Sequence, residues 1–295
     1  STKCYTLFMN WFLFCILSVF ALAAAELIQQ YLLNDEKHNI EEKISGFLTF
    51  FLPALLMIPF VIAGYSSSML AIFSSGTLPY FLGSSFAGSF GTIFYLRSFK
   101  VTSISYSTIL VASSAIFSTI LGILFLKESI DIYKFLGIIL ILTAIVVSNL
   151  NNEKFEKTSL WGLAAGIFYG IMYTLDKFIV LEIDPFVYLF WSFLFTSLLL
   201  FIRTPVELIK GISVIKISSL KVILLSGFAY LVYNLFTFVS YTYGGEVGKV
   251  DAINNSQIFL IILFETFYLK QKQGILRKLG SFLLAIIGIY ILGSN

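Results

Sequence analysis

Two stretches decide the fold: LKESIDIYKFLG at Leu126–Gly137 and LKQKQGILRKLG at Leu269–Gly280. Laid on one another at an offset of 143, they share Leu, Lys, Ile, Leu and Gly at five of twelve positions, and Lys134 falls on Arg277. Charged and turn-forming residues carry much of the match, which sets it apart from the chance similarity of any two apolar helices. The same offset puts Ser113 on Ser256, and an offset of 150 puts Trp11 on Trp161 and Glu26 on Asp176. The chain therefore reads as two consecutive copies of one unit, 1–150 and 151–295, joined near Asn151–Thr158.

Composition says where such a unit lives. Only 12% of the 295 residues are charged and 58% are hydrophobic, against a charged share of about a quarter in soluble domains. The apolar residues come in runs long enough to cross a bilayer: Phe8–Leu33, Gly46–Gly64, Pro79–Leu96, Ile104–Leu126, Ile132–Leu150, Leu160–Leu181, Phe186–Ile202, Leu220–Tyr243, Val250–Leu269 and Ile275–Leu292. An all-α integral membrane protein of ten spans is predicted, five per copy. Because five is odd, consecutive copies enter the membrane in opposite orientations, as in the inverted repeats of many secondary transporters.

Several other classes are set aside. The net charge of +3, spread over short loops, gives no support to nucleic-acid binding. Cys4 and Cys15 both lie near the N-terminus, too few for a disulfide framework or a Cys-rich metal site. His38, the single histidine, sits in a charged loop, which leaves no Ser/His pair and no His-based metal site within the membrane. Gly244, Gly248 and Lys249 are one residue short of a phosphate loop, and Val250 replaces its Ser or Thr. ALAAAE at Ala21–Glu26 resembles a signal-peptide cleavage site, but apolar sequence continues past it to Leu33, which favours a span. No enzyme activity, metal or organic cofactor is expected.

The string from Ser113, Ser114 and Ser118 through LGILFLKESIDIYKFLGIILILTAIVV (Leu121–Val147) resembles the EamA-like branch of the drug/metabolite transporter superfamily. Glu128 stands where that family usually has an acidic residue, and Gly137 where it has its glycine. The resemblance covers the ten-span layout and implies an exporter or exchanger of small metabolites. This chain departs from the pattern at Gln271, which replaces the acidic residue in the second copy, and at Glu26 in the first span.

Candidate site residues follow from the cost of polar groups in hydrocarbon. A carboxylate there costs several kcal/mol unless it is protonated or paired, so intramembrane acids are functional candidates. Glu26 and Asp176 occupy equivalent positions in helices 1 and 6, and Tyr169, Tyr173 and Asp176 share one face of helix 6. Either acid could carry a proton or pair with a cationic substrate. The plainer reading makes both solvated caps, with Lys177 beside Asp176 as an ion-pair partner. In helix 9, Asp251, Asn254 and Glu265 fall on one stripe of a helical wheel, with Asn255, Ser256 and Gln257 alongside; that face must avoid lipid, as a cavity wall or as glue between helices. Helix 8 places Tyr230, Tyr233 and Asn234 deep in its span, whereas Tyr241 and Tyr243 at its end fit an interfacial belt. Ser84, Ser85, Ser89, Thr92, Ser107, Ser114 and Ser118 rank lower, since intramembrane serines often bond to their own backbone. Gly162, Gly166 and Gly170 form a ridge suited to close helix packing, within the bundle or in a homodimer.

The sequence thus points to a secondary active transporter moving a small polar metabolite, such as an amino acid or nucleoside-type compound, by alternating access. Coupling to protons or Na+ is left open, as is the choice between monomer and homodimer; the plasma (inner) membrane is the expected location. A flippase for lipid-linked head groups and a non-transporting scaffold are the alternatives. Fourteen of the nineteen Lys and Arg residues fall on the side of the loops after odd-numbered helices. The positive-inside rule would make that side cytoplasmic, whereas the resemblance implies cytoplasmic termini.

Overall fold

A computed structural model describes residues 2–34, 40–65, 67–74, 76–101, 110–148, 160–213, 215–267 and 275–294. Helices run in order as α1 (Thr2–Asn34), α2 (Glu42–Tyr65), α3 (Leu78–Val101), α4 (Ser114–Leu126), α5 (Ile132–Ser148) and α6 (Leu160–Val180), then α7 (Pro185–Arg203), α8 (Pro205–Ser213), α9 (Ile217–Thr242), α10 (Val247–Asn254), α11 (Gln257–Phe267) and α12 (Ile275–Ser294). Among the described residues six helices are long and apolar enough to cross a membrane, one of them formed by α10 and α11 together, and three more are shorter apolar helices. The expected count of ten spans is therefore not reproduced. One shortfall is α3, where serine and glycine dilute the apolar residues; another is the fourth span, whose first residues, 104–109, lie outside the described ones. The linker 151–158, His38, Ser107 and Gln271 also lie outside them. A short helix, α8, occupies what reads in the sequence as a loop.

Each main helix pairing takes one partner from each half. α1 runs along α9 and α3 along α6, while α2 packs on α7, α5 on α12 and α4 on α10. Exchanging the halves turns the first pairing into the second and leaves the other three unchanged.

Two interruptions reproduce the sequence offset. Helical backbone turns aside at Ala112–Ser113 just before α4, and at Asn255–Ser256 between α10 and α11. Ser113 donates its amide to Leu110 (3.2 Å) and its Oγ to the same carbonyl (2.6 Å); Ser256 does both to Ile253, at 2.9 and 2.5 Å. Ile116 and Phe259 then donate to the two serine carbonyls, each at 3.0 Å. All three bonds recur at the offset of 143. A serine hydroxyl that bonds three residues back competes with the helical ladder and tightens the turn, which accounts for a break at the same place in each copy. The continuous ninth span of the sequence reading is corrected accordingly: the wheel joining Asp251 and Asn254 to Glu265 does not run through, and the Glu265 side chain lies outside the described ones.

The glycine ridge of α6 is spent inside the bundle. A Cβ on Gly166 would stand 2.2 Å from Ser113 Oγ and 3.0 Å from the Val111 carbonyl, and one on Gly170 would stand 2.6 Å from Phe117. Gly248 likewise lies against Thr119. Gly166→Ala should therefore cost about 1–3 kcal/mol through overpacking against backbone, while Gly64→Ala, with nothing within 4 Å, should be tolerated. Thermal unfolding of the purified variants checks this; equal melting temperatures for Gly166→Ala and the parent would refute the packing account.

Polar side chains join the helices. Gln29 of α1 donates to Ser45 (2.7 Å) and accepts from Ser226 (2.9 Å), tying α1 to α2 and α9. Large apolar side chains such as Phe60, Phe125, Ile202, Phe228 and Tyr290 remain exposed on the outside, as a lipid-facing surface requires.

Candidate functional site

A cavity of about 70 Å³ lies between the halves. α1 contributes Glu26, α3 Thr92 and Tyr95, α6 Tyr169, Tyr173 and Asp176, α9 Tyr230, Tyr233 and Asn234, and the break after α10 Asn255 and Gln257. Eight of the sequence-predicted residues thus meet at one place. Helices 2 and 7, absent from the predicted lining, add Phe50, Ser192, Phe193 and Thr196.

The carboxylates are buried and not solvated caps: Glu26 is 5% exposed and Asp176 1%. Glu26 accepts from the Tyr95 hydroxyl and from Gln257 Nε2 (3.1 and 3.2 Å to its two oxygens). Asp176 accepts from Ser84 and Tyr188, both at Oδ1. The suggested Lys177–Asp176 pair does not form. Successive residues on a helix point about 100° apart, and Lys177 turns instead to Glu128, 2.7 Å away.

Asp251 and Asn254 do not line the cavity. Asp251 receives Ser114 (3.1 Å), Ser118 (2.9 Å) and Asn255 (2.9 Å), which fastens α10 to α4. Asn254 accepts from Ser18 and donates to Thr237 (3.2 Å), joining α10 to α1 and α9. Ser84, Ser114 and Ser118, ranked low from sequence, are the donors that satisfy buried carboxylates, whereas Ser89 does bond to its own backbone, at Phe86 (2.9 Å). Tyr241 is 1% exposed and so belongs to the core, correcting its assignment to an interfacial belt; Tyr243 is partly exposed, as that belt requires.

Besides the residues of helices 2 and 7, Tyr95 and Gln257 were not among the predicted site residues. Gln257 was visible as a polar residue of helix 9, and the offset that maps it onto Ser114 could have promoted it. Tyr95 carries no signal that distinguishes it from any tyrosine near a span end.

At one end of the bundle the halves are joined by buried ion pairs. Glu128 receives Lys134 (3.0 Å), Lys177 (2.7 Å) and the backbone amide of Val247 (2.7 Å), and Lys134 also reaches Glu246 (2.8 Å). Lys134 is fully buried. Partial burial alone would push the Glu246 carboxyl up, but hydrogen bonds from Lys134 and Ser129 and the charges of Lys134 and Lys249 outweigh it and hold the group below its ordinary range. Toward the other end the cavity meets, at Thr92, a second space of about 260 Å³ bordered by Lys43, Arg97 and Arg203. There Arg97 lies over Trp161 (5.4 Å) and Arg203 over Phe90 (3.5 Å).

Helices too apolar for water, arranged as two corresponding halves around a cavity that holds two carboxylates, define a multi-pass integral membrane protein of the transporter class. The sequence profile of the EamA-like transporter family matches residues 9–150 and again 157–294, and the chain belongs to that family. A solved structure titled only as the crystal structure of a protein shares the fold, with a TM-score of 0.73 over 97% of this chain and 96% of that one at 11% identity. No curated protein matches the chain.

Proposed function

We propose that the protein is a secondary active transporter, an exporter or exchanger, that moves a small polar metabolite by alternating access of two inverted halves. The observation that carries this reading is the cavity between the halves, with Glu26 and Asp176 contributed by equivalent helices. Paired helix breaks flank it, as in transporters whose sites form where spans are discontinuous. Buried ion pairs around Glu128 join the halves at one end, whereas the pair at the other end, Lys43–Glu207 beside Arg97 and Arg203, is exposed and weak. An inert scaffold would have no use for two buried carboxylates that pair with no lysine among the described residues.

Reconstituted protein tests the proposal. Compounds from an amino acid, amine and nucleoside panel that raise the melting temperature are loaded into proteoliposomes, and counterflow of the labelled compound is measured. Saturable exchange of at least one stabilising compound is expected. Stabilisation without exchange by any of them would reduce the protein to a binding module.

A further inference from the structure

We infer that the cavity recognises a protonated amine, an inference that rests on the transport reading and narrows its substrate class to organic cations. Three observations converge on positive charge in the guest. First, among the described residues the lining holds two carboxylates, Glu26 and Asp176, and no Lys, Arg or His. The neighbouring lysines are committed elsewhere, Lys134 and Lys177 to Glu128, and Lys249 toward Glu246. An ionised buried carboxylate without a cation is costly, and a guest ammonium relieves that cost where a neutral or anionic guest cannot.

Second, two buried acceptor atoms at the site are left without donors. Gln257, 2% exposed, spends its amide NH₂ on Glu26, and its Oε1 has no hydrogen-bond partner among the described residues. Both donors to Asp176 serve Oδ1, which leaves Oδ2 without one among those residues. An ammonium group, three donors and no acceptor, matches such a site.

Third, the walls suit a cation. Tyr95, Tyr169, Tyr173, Tyr230 and Tyr233 all border the space. Ring faces attract a cation within about 6 Å, and Tyr169 and Tyr173 stack at 5.9 Å to form one continuous surface. The volume, about 70 Å³, fits a head group rather than a whole drug-sized molecule. Arg97 and Arg203 border only the adjoining space and lie over aromatic rings, so they do not set the charge preference of the cavity.

Isothermal titration of the purified full chain at neutral pH with benzylamine, benzyl alcohol and benzoate varies the charge from positive through neutral to negative on one ring. Benzylamine should bind at least tenfold more tightly than benzyl alcohol, and benzoate should not bind. Glu26→Gln and Asp176→Asn should each weaken benzylamine by roughly tenfold to hundredfold, the range for losing a charged hydrogen bond, with Glu26→Asp retaining the preference for amine. Equal affinity for amine and alcohol overturns the inference, and does so on the parent protein even if no variant folds. Tighter binding of benzoate moves recognition to Arg97 and Arg203 and also overturns it. Amine binding without flux in proteoliposomes would leave this site standing and defeat the transport reading; saturable flux of a neutral or anionic compound without amine binding would do the reverse.

Discussion

Asp176→Asn should abolish uphill, substrate-driven flux in proteoliposomes while leaving one-for-one substrate exchange measurable. The asparagine keeps the shape of the side chain and can still accept from Ser84 and Tyr188. What it loses is the negative charge and the capacity to bind and release a proton, on which cation or proton coupling would rest in the proposed transport cycle. Exchange of one substrate for another needs no such cycle. Some loss of exchange is still expected, roughly tenfold to hundredfold in apparent affinity, because one charged partner is gone. Uphill flux equal to that of the parent at every pH would remove Asp176 from the coupling mechanism.

The largest effect on stability is expected at Glu128. This carboxylate is the shared acceptor of two buried ammonium groups and a backbone amide. Removing the charge by Glu128→Gln leaves Lys134 and Lys177 buried with one carboxylate, Glu246, near only one of them, and breaking a buried pair in this way costs about 3–5 kcal/mol. The penalty arises from the stranded lysines rather than from any intrinsic worth of the pair. It follows that Glu128→Leu combined with Lys134→Met and Lys177→Met should recover most of the loss. Thermal unfolding of the single and triple variants decides; a triple variant no more stable than Glu128→Gln would show that the cluster stabilises the fold through something other than charge.

Much of this molecule was legible in its sequence because hydrocarbon is an intolerant solvent. Polar residues survive there only with a reason, so Glu26, Asp176, Tyr169, Tyr173, Tyr230 and Tyr233 could be singled out before any contact was known, and they do meet at one cavity. The repeat was legible at Leu126–Gly137, a loop and the first turns of α5, where charge and glycine are harder to match by chance than Leu and Ile. Partners were another matter. Helical spacing reports which side chains share a face of one helix and says nothing of what the next helix presents, so Ser84 as a donor to Asp176, and Tyr95 to Glu26, could not be read. The wheel drawn through helix 9 failed for a related reason. It assumed unbroken periodicity, and the bond from Ser256 to Ile253 interrupts that periodicity. Ser113 and Ser256 had been aligned, yet alignment alone does not say that both hydroxyls turn back on the backbone.

The ion cluster around Glu128 has a sequence counterpart that is incomplete, since Gln271 stands at the equivalent position while Arg277 matches Lys134. Two halves that exchange conformations would otherwise give two states of nearly equal free energy. On the proposed reading, the buried cluster at Glu128 outweighs the exposed Lys43–Glu207 pair that joins the halves at the opposite end, and the empty protein should rest with the Glu128 end shut. A solute arriving from the shut side then meets a minority of receptive molecules, and its apparent Kd rises by the inverse of that fraction. Vectorial preference would thus be written into the resting population by a single amide in place of a carboxylate, with no difference needed in the cavity itself.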